Sequence, residues 1–285
     1  MNNCSRWLGT VTLCSSVALL LLLTPAKSVL TLTTLEVAQE GNSQPSFSQH
    51  FQALGIEGSI IIYDLNQDRL YQYNPQRNAS PFLPASTFKI INSLIALETG
   101  AIASDLSVLT WDGVVRSVPA WNRDYNMRTA FQGSAVWFYQ VLARRIGHEQ
   151  MQQYVTESGY GNRSIGGIED IDTFWLSGDI QITPEEQIQF LQRLYRSELP
   201  FSEDTIATVK DIMIVEQTPN YTIRAKTGWA VAEGPEQAGV GWYVGYVEQN
   251  ENVYFFAANI DIRDESDLTA RLEVTRRSLE TLQLL

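Results

Sequence analysis

Strand-like runs sit near the two ends of this chain, and helical spacing fills the stretch between them. That change of period constrains the fold more than any other feature. Phe47 to Leu54 reads as a short helix stopped at Gly55. Gly58 to Leu65 (GSIIIYDL) is apolar and β-branched, Asn66-Gln67-Asp68 has turn composition, and Arg69 to Tyr73 follows as a second strand. So short a link predicts an antiparallel hairpin. From Gly100 to about Pro219 the apolar residues recur at helical intervals. They do so across Phe131 to Ile146, at Met151, Tyr154 and Val155 ahead of Gly159, and at Ile206, Val209 and Met213 within Ser202 to Val215. Thr183-Pro184-Glu185-Glu186 combines an N-cap, a proline at the first helical position and a glutamate at the third, which predicts a helix start. Beyond Pro219 strands are expected over Tyr221 to Trp229, Val240 to Glu248 and Val253 to Ile260, with a closing helix over Ser266 to Leu284. The expected fold is α/β (α+β type). A mainly antiparallel sheet is built from both chain ends and flanked by helices, with a helical lobe inserted over roughly 100–219. A cleft between sheet and lobe is the natural place for a ligand.

The first 26 residues stand apart. Arg6 is their only charge, Val17 to Leu23 is apolar, and Thr24-Pro25-Ala26 supplies small residues for cleavage. The apolar run is too short to span a bilayer, so residues 1–26 read as a secretory signal peptide and 27–285 as a single exported domain with no stable membrane anchor. Both cysteines, Cys4 and Cys14, fall in the leader, which leaves a mature chain without thiol or disulfide chemistry. The net charge of −12 becomes one unit more negative once Arg6 is lost. Such a field opposes binding to nucleic acid or an anionic membrane.

Pro84 to Gly100 (PASTFKIINSLIALETG) leads from the hairpin into the lobe. Pro84 marks the entry, Phe88, Ile91, Leu94 and Ile95 supply helical spacing, and Gly100 is a C′ stop. Ser86 and Lys89 are three residues apart at the helix start, so hydroxyl and amine share a face. Read alone, the pair is equally a helix cap beside a solvated lysine. Other chemistry is poorly supported. The two histidines, His50 and His148, lie in polar helices, His148-Glu149 lacks the second histidine of an HExxH zinc site, and no G-x-S-x-G elbow occurs. The chain has only four lysines, Lys27, Lys89, Lys210 and Lys226, and two of them sit in patterned settings: Ser86-Thr87-Phe88-Lys89 and Lys226-Thr227-Gly228.

With Ser134-Ala135-Val136 between those two motifs, the order becomes specific. The chain resembles the class D serine β-lactamases, the oxacillinase group of the penicillin-recognising enzymes, over about residues 50–272. Val136 stands where related enzymes carry asparagine in the Ser-Asp-Asn motif. Tyr160-Gly161-Asn162, Phe174-Trp175-Leu176 and Trp111-Asp112-Gly113 resemble further landmarks, though Tyr160-Gly161-Asn162 also reads as a turn after a helix and Trp111-Asp112-Gly113 as a loop.

The resemblance implies Ser86 as the acylated nucleophile and Lys89 as a lysine carboxylated by CO2 or bicarbonate, with no metal or other cofactor. It implies Ser134 as a proton relay and Lys226, Thr227 and Arg271 as contacts to the carboxylate of a β-lactam. The backbone N–H groups of Ser86 and Trp229 fall at oxyanion-hole positions, and Trp175 resembles the tryptophan that holds the modified lysine. Arg224, two residues before Lys226 on the same strand face, rivals Arg271 as the anchor. Carboxylation needs a neutral amine, and a free lysine with a pKa of about 10.4 is neutral in roughly one molecule per thousand or fewer at neutral pH. Burial among Phe88, Val136 and Trp175 would depress that pKa. Two other readings share the nucleophile: a penicillin-binding transpeptidase or carboxypeptidase, and a β-lactam sensor domain that stays acylated. The sequence fits either a monomer or a homodimer.

Overall fold

The computed structural model describes residues 46–231, 234 and 237–285. The expected leader and the tail up to Pro45 lie outside the described residues, as does part of the segment after Trp229. Helix α1 (Ser48–Leu54) ends where Gly55 adopts a φ of 64°. Strands β1 (Gly58–Asp64) and β2 (Arg69–Tyr73) form the expected hairpin, with Ile62 opposite Tyr71. A helical turn α2 (Pro75–Asn78), capped by the Asn74 side chain, interrupts the following loop. Helix α3 (Lys89–Glu98) then opens a helical run of α4 (Met127–Gln132), α5 (Val136–Ile146), α6 (His148–Glu157), α7 (Phe174–Ser177), α8 (Pro184–Tyr195) and α9 (Glu203–Ile212). Strands β3 (Ile214–Gln217), β4 (Tyr221–Ala230), β5 (Gly239–Gln249) and β6 (Asn252–Ile262) and helix α10 (Ala270–Thr281) complete the described chain.

The strands form one antiparallel sheet in the order β2-β1-β6-β5-β4-β3. Strand β1 pairs with β6, Ile60 opposite Ala258, so the two ends of the domain share one sheet as the sequence pattern requires. Both faces are covered, which explains the unbroken apolar run of β1. Ile61 enters a core with Phe88, Ile91 and Trp175 beneath the lobe. Ile60 and Ile62 enter a second core with Phe51 of α1 and Val274 and Leu279 of α10.

Three expectations need correction. The helical spacing of Phe131 to Ile146 does not give one helix: α4 stops at Gln132, Ser134 takes a φ of 52°, and α5 starts at Val136. The helix expected over Ser202 to Val215 ends at Ile212, because Ile214 to Gln217 pair with β4 and extend the sheet. The stretch 100–219 is therefore not wholly a helical lobe; it supplies an edge strand, and α8 packs directly on β5 and β6. The closing helix begins at Ala270, after a 3-10 turn over Glu265–Thr269. Helix α8 starts as expected, with Thr183 and Glu186 forming a reciprocal capping box.

Two of the landmarks are structural. The Tyr160 ring packs edge-on against Phe88, with centroids 5.5 Å apart, and Gly161 has a φ of 52° with Gln181 O only 2.1 Å from where a Cβ would lie. The Trp111 indole N–H donates to Val114 O, shaping its loop. Asp112 in the same loop stays exposed at the surface and accepts two hydrogen bonds from Arg116, 2.9 and 2.7 Å. No described helix is long and apolar enough to cross a membrane.

Candidate active site

Ser86 lies on a 3-10 turn, Ala85–Phe88, that runs directly into α3. Ala85 enters it with a φ of 47°, an uncommon conformation for a residue with a side chain. In 3-10 geometry residues i and i+3 eclipse, which sets Lys89 over Ser86. The Lys89 amine donates to Ser86 Oγ at 2.6 Å. Helix α3 is buried from Lys89 to Ala96, so the lysine stem passes through core, and its Nζ lies 5.4 Å from the centre of the Tyr139 ring. Burial, and secondarily the charge of Lys226, push the Lys89 amine well below the usual lysine range. Its neutral form is therefore the one the site favours.

Ser134 occupies the break between α4 and α5, where its left-handed backbone holds a strained position. Its Oγ accepts a hydrogen bond from Lys226 Nζ at 3.1 Å. Lys226 lies on β4, also buried, and donates to Thr227 O at 3.0 Å. Burial first, and Arg271 second, push its pKa down to about 7. The next glycine explains the motif locally: a Cβ on Gly228 would sit 3.0 Å from both Pro84 O and Thr87 Cγ2, so the strand presses against the serine turn only because that position is bare.

Arg271, on the first turn of α10, donates from Nη1 to Gly228 O at 2.7 Å. Its Nε is buried without a partner among the described residues, and burial lowers its pKa to about 10. Arg224 is differently placed. It forms an ion pair with Glu248 and donates to Lys210 O. Of the two rivals, Arg271 lines the cleft. That cleft has a volume of about 660 Å³, and Ser86, Ser134, Val136, Thr227, Trp229 and Arg271 contribute to its wall. A cavity of about 790 Å³ between α10 and the β3–β5 edge is larger, but its Glu216 and Arg276 already pair with each other at 3.0 Å and it holds none of the motif residues. Size does not mark the site.

Comparison with known proteins agrees with this geometry. The sequence matches the penicillin-binding protein transpeptidase domain family over residues 49–280. It is 40% identical over 244 residues to β-lactamase OXA-48 of Klebsiella pneumoniae, covering 86% of this chain and 90% of the relative. It is also 40% identical over 205 residues to the probable β-lactamase YbxI of Bacillus subtilis (strain 168), covering 72% and 74%. The crystal structure of the class D β-lactamase YbXI from Nostoc superposes with a TM-score of 0.82 at 60% identity, over 84% of this chain and 99% of that one. The chain belongs to the class D β-lactamase family.

Within this family fold, Ser86, Lys89, Ser134 and Lys226 meet as two hydroxyl–amine pairs, and Thr227, Trp229 and Arg271 border them. Trp175 is buried behind Phe88, the two rings stacked 5.5 Å apart at 13°, and its Nε1 has no hydrogen-bond partner. The sequence reading missed Tyr139, which flanks Lys89; its spacing three residues after Val136, on one helix face, was the available signal. Leu176, the last residue of the Phe174-Trp175-Leu176 landmark, also lines the cleft, as do Trp121 and Glu265, which carry no pattern that would have singled them out. Tyr125 and Trp242 are core residues, donating to Ala120 O and Leu83 O. His50 and His148 bond to Thr281 and Gly166 O, away from the cleft.

The buried amine has a consequence for stability. The unfolded chain keeps Lys89 protonated up to about pH 10.4, whereas the folded chain has released that proton at a much lower pH. Stability from this group is fully present above the unfolded pKa and is lost as pH falls towards the folded one. Lys89→Met, in CO2-depleted buffer, is therefore expected to raise Tm at pH 7 by about 2–5 °C, with the difference shrinking towards pH 10. A Met variant that melts below the parent at pH 7 would contradict this, and thermal scans at both pH values decide it.

Proposed function

We propose that this protein hydrolyses the β-lactam ring of penicillin-type antibiotics through an acyl-enzyme on Ser86. The observation that carries the reading is the fully buried, charge-disfavoured Lys89 amine 2.6 Å from the Ser86 hydroxyl. A serine is a weak nucleophile until a neighbouring base removes its proton, and a neutral amine at hydrogen-bond distance can do so. Ser86 Oγ would attack the lactam carbonyl, with backbone N–H groups of Ser86 and Trp229 facing the developing oxyanion. As the ring C–N bond breaks, Ser134 would pass a proton to the leaving nitrogen, with the Lys226 amine 3.1 Å behind its oxygen. Water then cleaves the ester, releasing the opened acid and restoring Ser86.

Carboxylation of Lys89 fits the residues present. CO2 combines with a neutral amine, and a buried indole N–H without a partner, that of Trp175, stands ready to hydrogen-bond a new anion near Phe88. So modified, Lys89 would supply an anionic base for deacylation as well as acylation. Burial, with the Tyr139 ring centre 5.4 Å from Nζ, keeps the amine in the form that can be modified. Lys226, Thr227 and Arg271 would receive the substrate carboxylate, the last through its unpartnered Nε. Residues 1–26 would direct export to the periplasm or beyond and be removed there, which N-terminal sequencing of exported protein tests.

Purified protein should hydrolyse benzylpenicillin, faster when bicarbonate is added to CO2-depleted enzyme. Lys89→Ala should lose about 10²–10⁴-fold in turnover while still forming, or slowly accumulating, a covalent adduct visible by intact mass. Parent-like turnover in that variant would remove Lys89 from the mechanism. An adduct that persists in the parent for hours would instead indicate the transpeptidase or sensor reading. The Lys226 pKa of about 7 sets a second expectation. Above that pH the free enzyme loses the Lys226 charge, so kcat/KM should fall about three- to tenfold between pH 7 and 9. Lys226→Arg, charged throughout, should flatten that limb of the profile; an unchanged limb would assign it to another group.

A further inference from the structure

The 3-10 turn Glu265–Thr269 carries the chain from β6 to Arg271, and its first residue has no role in the reaction outlined above. Its neighbours are committed elsewhere. Asp264 folds back on its own turn, accepting from Ser266 N and Ser266 Oγ. Arg263 and Asp267 hold each other through two side-chain contacts of 3.0 and 2.9 Å. Glu265 alone of this charged run lines the cleft, and no cation pairs with it among the described residues. Among the described residues that line it, the cleft wall presents one cation, Arg271, and one acid, Glu265. The rest of the lining is neutral and largely apolar, including Val118, Trp121, Leu176, Trp229 and Val231.

A ligand that fills this cleft with its ring carboxylate at Arg271 must bring the remainder of its structure past apolar walls and one uncompensated carboxylate. A second anion on that remainder is repelled and a cation is attracted. We propose that Glu265 is a specificity-determining residue that selects zwitterionic β-lactams, those with an ammonium on the side chain, and rejects dianionic ones. This rests on the β-lactam hydrolase reading of the same cleft and deepens it by naming a substrate class. The protein's net negative charge adds to the discrimination only weakly at physiological ionic strength, because salt screens exposed charges beyond roughly 8–10 Å. The contact with Glu265 is short-range, so added salt weakens it without abolishing it.

The test compares three penicillins that differ at the side-chain α-carbon: ampicillin with an ammonium, benzylpenicillin with neither charge, and carbenicillin with a carboxylate. The ratio of kcat/KM for ampicillin to that for carbenicillin should fall about three- to tenfold in Glu265→Gln. It should reverse further in Glu265→Lys and be retained in Glu265→Asp. Raising salt should lower the ratio in the parent and leave it nearly constant in Glu265→Gln. A purely structural role for Glu265 would change all three substrates alike and would not follow the sign of the charge. A Glu265→Gln ratio within twofold of the parent overturns the proposal. If no penicillin is turned over, the hydrolase reading fails, and the same ratios, read as competition for acylation of Ser86, still decide the role of Glu265. Absence of both turnover and acylation overturns both.

Discussion

A lysine amine placed inside a protein core, with no carboxylate beside it among the described residues, is the constraint on which the rest of this site depends. Helix α3 is buried along most of its length, and Lys89 is its first residue. Isolated burial of an ammonium is too costly to sustain, so the group releases its proton. That single consequence turns a common cation into a base within reach of a serine. The same surroundings that deny the charge, Phe88 stacked on Trp175 and the Tyr139 ring beside Nζ, are core packing by any other measure. On the proposed function, core packing and catalytic tuning are here one feature.

The sheet converts distant sequence into proximity. Ser86 lies shortly after β2, Ser134 between two lobe helices, Lys226 on β4 and Arg271 at the start of α10. Pairing β1 with β6 brings the two ends of the domain together, and β4 then runs along the serine turn with Gly228 at the contact. The backbone accepts strain at the two serines, with positive φ at Ala85 and at Ser134. Residues in sparsely populated conformations persist only where the surrounding structure fixes them, and both serines are fixed by the elements that flank them.

Most of the architecture was legible because it rests on periodicity. The hairpin, the three C-terminal strands and the capped start of α8 all follow local pattern. What escaped depends on tertiary pairing or on length. Residues Ile214 to Gln217 become strand only because Thr222 to Arg224 of β4 lie beside them, and their own apolar spacing equally suits a helix end. The break at Ser134 was hidden by apolar residues that keep helical spacing on either side of it. Helix α7 has four residues, too few to display a period. The site's motifs were visible as scarce lysines beside serines. Choosing between Arg271 and Arg224 required the fold, since only the structure shows that Arg224 is already tied to Glu248.

Charge gives the site its direction. The whole chain is strongly acidic, at −12, yet Lys89, Lys226 and Arg271 follow one another from Ser86 to the cleft wall, and none has an acidic partner among the described residues. Each lowers the proton affinity of the next: Lys226 acts on Lys89, and Arg271 on Lys226. Basic groups without an acidic partner among the described residues are left open to an anion from outside. One anion would be the carboxylate of the substrate, at the Arg271 end. The other would be the carbamate formed on the lysine itself, where the unpartnered indole N–H of Trp175 supplies a donor.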